Sequence, residues 1–146
     1  MPAAAPWPVL YDAECGLCRT LLAGLLRWDR GGRLRPVALQ ASEADKLLAD
    51  LPPDARMESW HLVSLGGERY SGGDALPPLL RLLPGGRAPA AVFAGFPRLT
   101  DRGYRWVATH RVGLSRLLPA RLKRRGDYLR VSAGAPPERA ASPPGR

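Results

Sequence analysis

The chain is poor in the residues that ligate metals and staple small folds: its 146 residues hold two cysteines and two histidines. A structural zinc site takes four ligands, commonly as two close pairs. Cys15 and Cys18 form one pair, but His61 and His110 are remote from it and from each other. That argues against zinc; a two-thiolate Cu(I) site is the remaining metal reading. Long apolar runs are also missing. The longest candidate, residues 88–96, is interrupted by Pro89 and falls short of the ~18–20 residues a membrane helix needs. The opening Met-Pro-Ala-Ala-Ala-Pro carries neither a basic nor an apolar stretch of a secretory signal, so a cytoplasmic location is expected. No phosphate loop, no Ser/His/Asp set, no carboxylate pair and no internal repeat stands out, which leaves those chemistries without a foothold.

What is present fits one globular domain. The apolar share is 45% and the charged share 24%, ordinary for a soluble protein with a real core. The net charge of +9 is unevenly placed. Residues 1–100 carry 11 basic and 10 acidic side chains, whereas residues 101–130 carry nine basic and two acidic ones. The basic character therefore belongs to the C-terminal part. Its simplest reading is a solvated arginine-rich face, with a weak contact to an anionic surface as the specific alternative. No nucleic-acid motif accompanies it.

The cysteines sit in Tyr11-Asp12-Ala13-Glu14-Cys15-Gly16-Leu17-Cys18. An extended run, 7–11, precedes them, and Leu17, Leu21, Leu22, Leu25 and Leu26 follow at helical spacing. The pair thus falls where a strand hands over to a helix. Cysteines three apart on a first helical turn share a side, with Cα atoms about 5–6 Å apart, which a disulfide can span. The helix N-terminus favours thiolate over thiol, which points to Cys15 as nucleophile. Cys18, one turn in, is expected to be more covered and to resolve a mixed disulfide. Arg19 adds a positive charge and Glu14 opposes it. Asp12 either takes the Cys18 proton or satisfies backbone N–H groups of the turn. Inert buried cysteines, a disulfide staple and half a metal site are the competing readings. In a reducing compartment the pair is expected to stay reduced or to cycle.

The run YDAECGLC resembles the YDxxCxxC signature of the DCC family of thiol-disulfide oxidoreductase-like proteins, with Asp12, Cys15 and Cys18 matching one for one. The similarity continues through Arg33–Leu39, Gly67–Leu83 and Tyr104–Arg111, and so covers residues 7–118. The resemblance implies a thioredoxin-like α/β fold and thiol-disulfide chemistry without a metal or organic cofactor. Such chemistry calls for a disulfide-containing protein, or a low-molecular-weight thiol such as glutathione, as partner. A non-catalytic dithiolate binder of Cu(I) or zinc, or a scaffold on the same fold, is the alternative.

The pattern along the chain agrees with that fold. Strands are expected at 8–11, 33–39, 59–65 and 68–70, with helices at 15–29, 42–51 and 75–83, giving the order β-α-β-α-β-β-α in three layers. Pro36 places the second strand at a sheet edge, as a sheet order of 2-1-3-4 requires. Ser42 and Asp45 look like a capping box, Pro52-Pro53 a helix stop, and Gly66-Gly67 a two-residue hairpin turn. Asp74 is read as the cap of the third helix. Extra C-terminal helices are expected near 89–96, near 101–112 with Thr100 as cap, and as a short basic one near 115–124. Residues 119–133 read as a separate basic segment, and 134–146 as a disordered Pro/Gly-rich tail.

Two further stretches bear on binding. Gly72-Gly73-Asp74 resembles the segment with which glutaredoxins hold a glutathione carboxylate. A capped turn is the plainer reading of the same residues. Before the third strand, where thioredoxins and glutaredoxins carry a cis-proline, this chain has Met57-Glu58-Ser59. His61 reads as a packed residue, His110 as solvated, and Trp28, Trp60 and Trp106 as core or half-buried aromatics.

Overall fold

The computed structural model describes residues 4–132. Four strands, β1 (Trp7–Tyr11), β2 (Leu34–Ala38), β3 (His61–Val63) and β4 (Arg69–Ser71), form one sheet in the order β2-β1-β3-β4. β1 runs parallel to β2 and antiparallel to β3, and β3 is antiparallel to β4. This is the expected order, with β2 and its Pro36 at an edge. The fold is a thioredoxin-like α/β arrangement.

The central strand explains the layers. Side chains alternate across a strand. Val9 and Tyr11 face one side, where they join Leu62 and residues from α1 (Gly16–Trp28) and α4 (Leu76–Leu82). Leu10 faces the other side, with Val37, Leu39 and Val63, and is covered by Ala44 of α2 (Ser42–Leu47) and by Leu48. β1 is buried on both faces because helices cover both, as a parallel pair requires.

Several local expectations are corrected. α2 ends at Leu47, and its cap position is Ala41, so Ser42 is the first helical residue and no capping box forms. Pro52-Pro53 does not merely stop a helix: Pro53 opens a short one, α3 (Pro53–Met57), at the first-turn position that suits its missing N–H. The β3–β4 hairpin turns through three residues, Leu65-Gly66-Gly67. Ser64 N–H meets Glu68 O, Gly67 N–H meets Ser64 O, and Gly67 takes a positive φ of 87°. Asp74 lies within a 3-10 turn, Gly72–Ala75, and α4 starts behind it without a side-chain cap.

The C-terminal helices differ most. α5 (Arg87–Gly95) is followed by α6 (Pro97–Thr109), which begins at Pro97; Thr100 bonds the Phe93 carbonyl instead of capping. The single basic helix expected near 115–124 is two helices, α7 (Arg111–Leu117) and α8 (Ala120–Ser132). Pro119 separates them because it cannot donate a helical hydrogen bond. The described part of the 119–133 segment, α8, joins the core. α8 packs along α1, Leu129 is 0% exposed within the main core, and the Tyr11 hydroxyl donates to the Leu129 carbonyl at 2.7 Å. Gly126 permits the approach: a Cβ there would stand 2.7 Å from the Arg19 carbonyl carbon. The tail reading, 134–146, lies outside the described residues.

If α8 belongs to the core, Leu129→Ala will cost about 2–5 kcal/mol, the usual range for emptying a buried leucine site. Chemical denaturation measures this. An unchanged midpoint would show that α8 does not dock on α1.

Candidate active site

The turn between β1 and α1 is pinned from several sides. The Cys15 N–H donates to the Asp12 carbonyl at 3.2 Å, and Asp12 Oδ1 accepts from the Glu14 N–H at 2.9 Å. Gln40, beyond β2, clamps the same turn: its Nε2 donates to Asp12 Oδ1 at 2.8 Å, and its Oε1 accepts from the Ala13 N–H at 3.2 Å. Beneath, Arg19 Nη1 donates to the Ala13 carbonyl at 2.6 Å. Cys15 is therefore held as the cap of α1 in an extended conformation, and its Sγ accepts from the Cys18 N–H at 3.3 Å. A sulfur in the cap position takes the place of the oxygen that usually meets a first-turn N–H.

This geometry separates the two thiols. Cys15 is lowered from an ordinary 9.0 to about 6. The hydrogen bond from the Cys18 thiol does most of this; the Cys18 N–H and the Arg111 guanidinium assist, while burial and the Asp12 carboxylate oppose. Cys18 is pushed far up by the same hydrogen bond, by burial and by the negative charge on Cys15. One proton is thus retained on Cys18 while Cys15 ionises.

The surrounding charges are not those nearest in sequence. Arg19 is turned inward, 9% exposed, toward Ala13 and toward Asp127 of α8 at 3.9 Å. The cation facing the thiols is Arg111, at the start of α7, with Nη1 3.9 Å from Asp12 Oδ2. At that separation the pair acts through charge more than through a hydrogen bond. The opposing carboxylate is Asp12, whose side chain is only 14% exposed.

Beside the dithiol, the Met57–Trp60 segment occupies the place of the cis-proline platform, and no cis peptide occurs among the described residues. Tyr104 of α6 lies next to Cys18 and hydrogen-bonds Ser59 and the Trp60 backbone; burial raises its phenol. The same Tyr104 covers Gly72, where a Cβ would stand 2.9 Å from its ring, and Asp101 backbone stands 3.0 Å from a Cβ at Gly73. Both glycines are buried and Asp74 is exposed. Gly72 and Gly73 thus pack against α6. Cys18, Asp12 and Arg111 also line a groove of about 740 Å³ with apolar walls from α1, α5 and α6.

The two histidines do not line the groove with Cys18. His61 is buried, with Nε2 3.0 Å from the Arg56 carbonyl and Nδ1 2.7 Å from Ser71 Oγ. The carbonyl only accepts, so Nε2 carries a hydrogen; burial lowers the pKa of the ring and so disfavours its charged form. His110 is exposed and stacks on Trp106. Trp106 is exposed too, contrary to the expected half-burial. Among the described residues no cluster of three metal-ligating side chains occurs, and no helix is long and apolar enough to cross a membrane.

Comparison with protein families matches residues 9–117 to the DCC1-like thiol-disulfide oxidoreductase model. The chain belongs to the DCC1-like family. The match takes in the β1–α1 turn with both cysteines, the sheet, and α1–α7; α8 lies beyond it. No curated protein and no solved structure matches the chain. Gln40, Tyr104 and Arg111 complete this DCC1-like site and were not identified as site residues from the sequence. Gln40 carries no local signal. Tyr104 and Arg111 bound the last segment of family resemblance, which was the available clue.

Because Cys15 depends chiefly on the Cys18 hydrogen bond, its alkylation rate will rise through about pH 6 and level off above it. Cys18→Ala will move that midpoint up toward the ordinary 9.0, and Arg111→Gln will move it less. Iodoacetamide kinetics with peptide mapping read both. Faster labelling of Cys18 in the native reduced protein would overturn the assignment.

Proposed function

We propose that the protein reduces or exchanges disulfides, with Cys15 as nucleophile and Cys18 as resolving thiol. The observation that carries this is the placement of the pair: Cys15 caps α1 and its Sγ accepts from the Cys18 N–H at 3.3 Å, a placement that splits the two thiols, one lowered to about 6 and the other raised. The Cys15 thiolate attacks one sulfur of a substrate disulfide. The Cys15–substrate S–S bond forms, the substrate S–S bond breaks, and the leaving thiolate takes a proton. Cys18 then gives up its proton and attacks Cys15, forming the Cys15–Cys18 disulfide and releasing the second substrate thiol. The substrate gains two electrons and the protein loses two. A thiol reductant, glutathione or a dithiol, returns them.

Asp12 is the base we assign to the second step. It faces both thiols, lines the groove with Cys18, and has one oxygen fixed by Glu14 N–H and Gln40 while the other faces Arg111. An ionised Cys15 sulfur is needed early and a deprotonated Cys18 late, so a carboxylate beside both suits the transfer.

Reduction of a small disulfide by the full chain tests the reading. Cys15→Ser will abolish turnover; Cys18→Ser will accumulate the mixed disulfide on Cys15. Turnover surviving Cys15→Ser would refute it. Asp12→Asn will leave mixed-disulfide formation unchanged or faster and will slow resolution by about 10²-fold. Stopped-flow rates across pH 5–9 separate the steps. Unchanged resolution in a folded Asn variant would leave Asp12 with the turn alone.

A further inference from the structure

The apolar groove beside the dithiol is larger than the chemistry of two sulfurs requires. Cys18 stands in its wall, so whatever fills it lies beside one sulfur of the pair. The walls are Leu21 of α1, Val92 and Phe93 of α5, Phe96, and Leu99 of α6. Leu21 is 56% exposed, Phe96 62% and Leu99 64%. These side chains are large, apolar and uncovered, and they share one groove. Contiguous exposed apolar surface of this kind marks a docking site. Walls in which Leu21, Phe96 and Leu99 stay more than half exposed suit a polypeptide surface, whereas a small ligand is bound by a cleft that buries most of it.

The charges at the groove narrow the choice of occupant. Two carboxylates, Asp12 and Glu58, line it against one guanidinium, Arg111, which already faces Asp12. An acidic flank, or the carboxylates of glutathione disulfide, would meet uncompensated negative charge there. An uncharged apolar flank adds no like charge there and displaces water from the apolar walls.

We infer that the groove selects the substrate: a partner polypeptide whose cystine is flanked by apolar side chains. This rests on the proposed Cys15/Cys18 chemistry and adds its specificity. The flank seats between α1, α5 and α6, and the cystine sulfur is thereby delivered to Cys15. Phe96 and Leu99 are specificity-determining residues in this account and take no part in bond making.

The test uses the full chain and two disulfide-linked peptide dimers of equal length, one with Leu and Phe beside the cysteine and one with Glu at both places. Hydroxyethyl disulfide and benzyl disulfide serve as small polar and apolar controls. The expected result is a kcat/KM about 10-fold higher for the apolar peptide, consistent with burying one or two apolar side chains. In Phe96→Ser/Leu99→Ser, with folding checked by circular dichroism, that ratio will collapse toward unity. Equal rates for the two wild-type peptides, or a preference that survives the double substitution, overturn the inference while leaving the dithiol chemistry standing. Benzyl disulfide reacting as fast as the apolar peptide would assign the groove to a small molecule and overturn it as well. Failure with every disulfide, hydroxyethyl disulfide included, overturns the dithiol reading and this inference with it.

Discussion

The site depends on the contact between two thiols at one helix start. Cys15 and Cys18 stand at the first turn of α1, and the hydrogen bond between their sulfurs is the largest influence on both. It stabilises the thiolate on the outer cysteine and holds the thiol on the inner one. The helix start adds a backbone N–H, and Arg111 adds a charge from another helix. Burial and Asp12 work against ionisation of Cys15 and do not win. An ionised sulfur next to a protonated one is the resting arrangement that stepwise disulfide exchange needs.

The rest of the fold holds that arrangement in place. The turn that presents Cys15 is tied to β1, to Gln40 beyond β2 and, through Arg19, to the inner side of α1. α8 presses on the same region, with Gly126 against the Arg19 backbone and the Leu129 carbonyl on Tyr11. The C-terminal helices therefore act on the thiols from two directions. α8 supports the turn from within the core, while α6 and α7 bring Tyr104 and Arg111 to its open side. Arg102, Arg105, Arg116, Arg121 and Arg124 on these helices are exposed, whereas Arg111 faces Asp12 and the thiols.

Legibility from sequence followed the range of the signals. Strand order, the edge position of Pro36 and the strand-to-helix placement of the cysteines were readable because period-two and helical patterns are local. The β3–β4 turn and the caps at Ser42, Asp74 and Thr100 were misread, since a capping residue type is common and only the backbone path decides which one caps. α8 was misread because its charge masks the two features that bury it, one leucine and one glycine facing α1. Arg19 was adjacent in sequence and Arg111 was not, yet helix geometry turns the first inward and tertiary packing brings the second to the sulfurs.

The most direct test follows the electrons. Reduced full chain is mixed with excess disulfide substrate, free of metal and oxygen, then acid-quenched and mapped by mass spectrometry alongside a count of released substrate thiol. The account predicts an intramolecular Cys15–Cys18 disulfide and release of both thiols of each substrate molecule consumed, with a transient adduct on Cys15 only. A stable adduct on Cys18, or both cysteines left as free thiols while substrate remains intact, would contradict it.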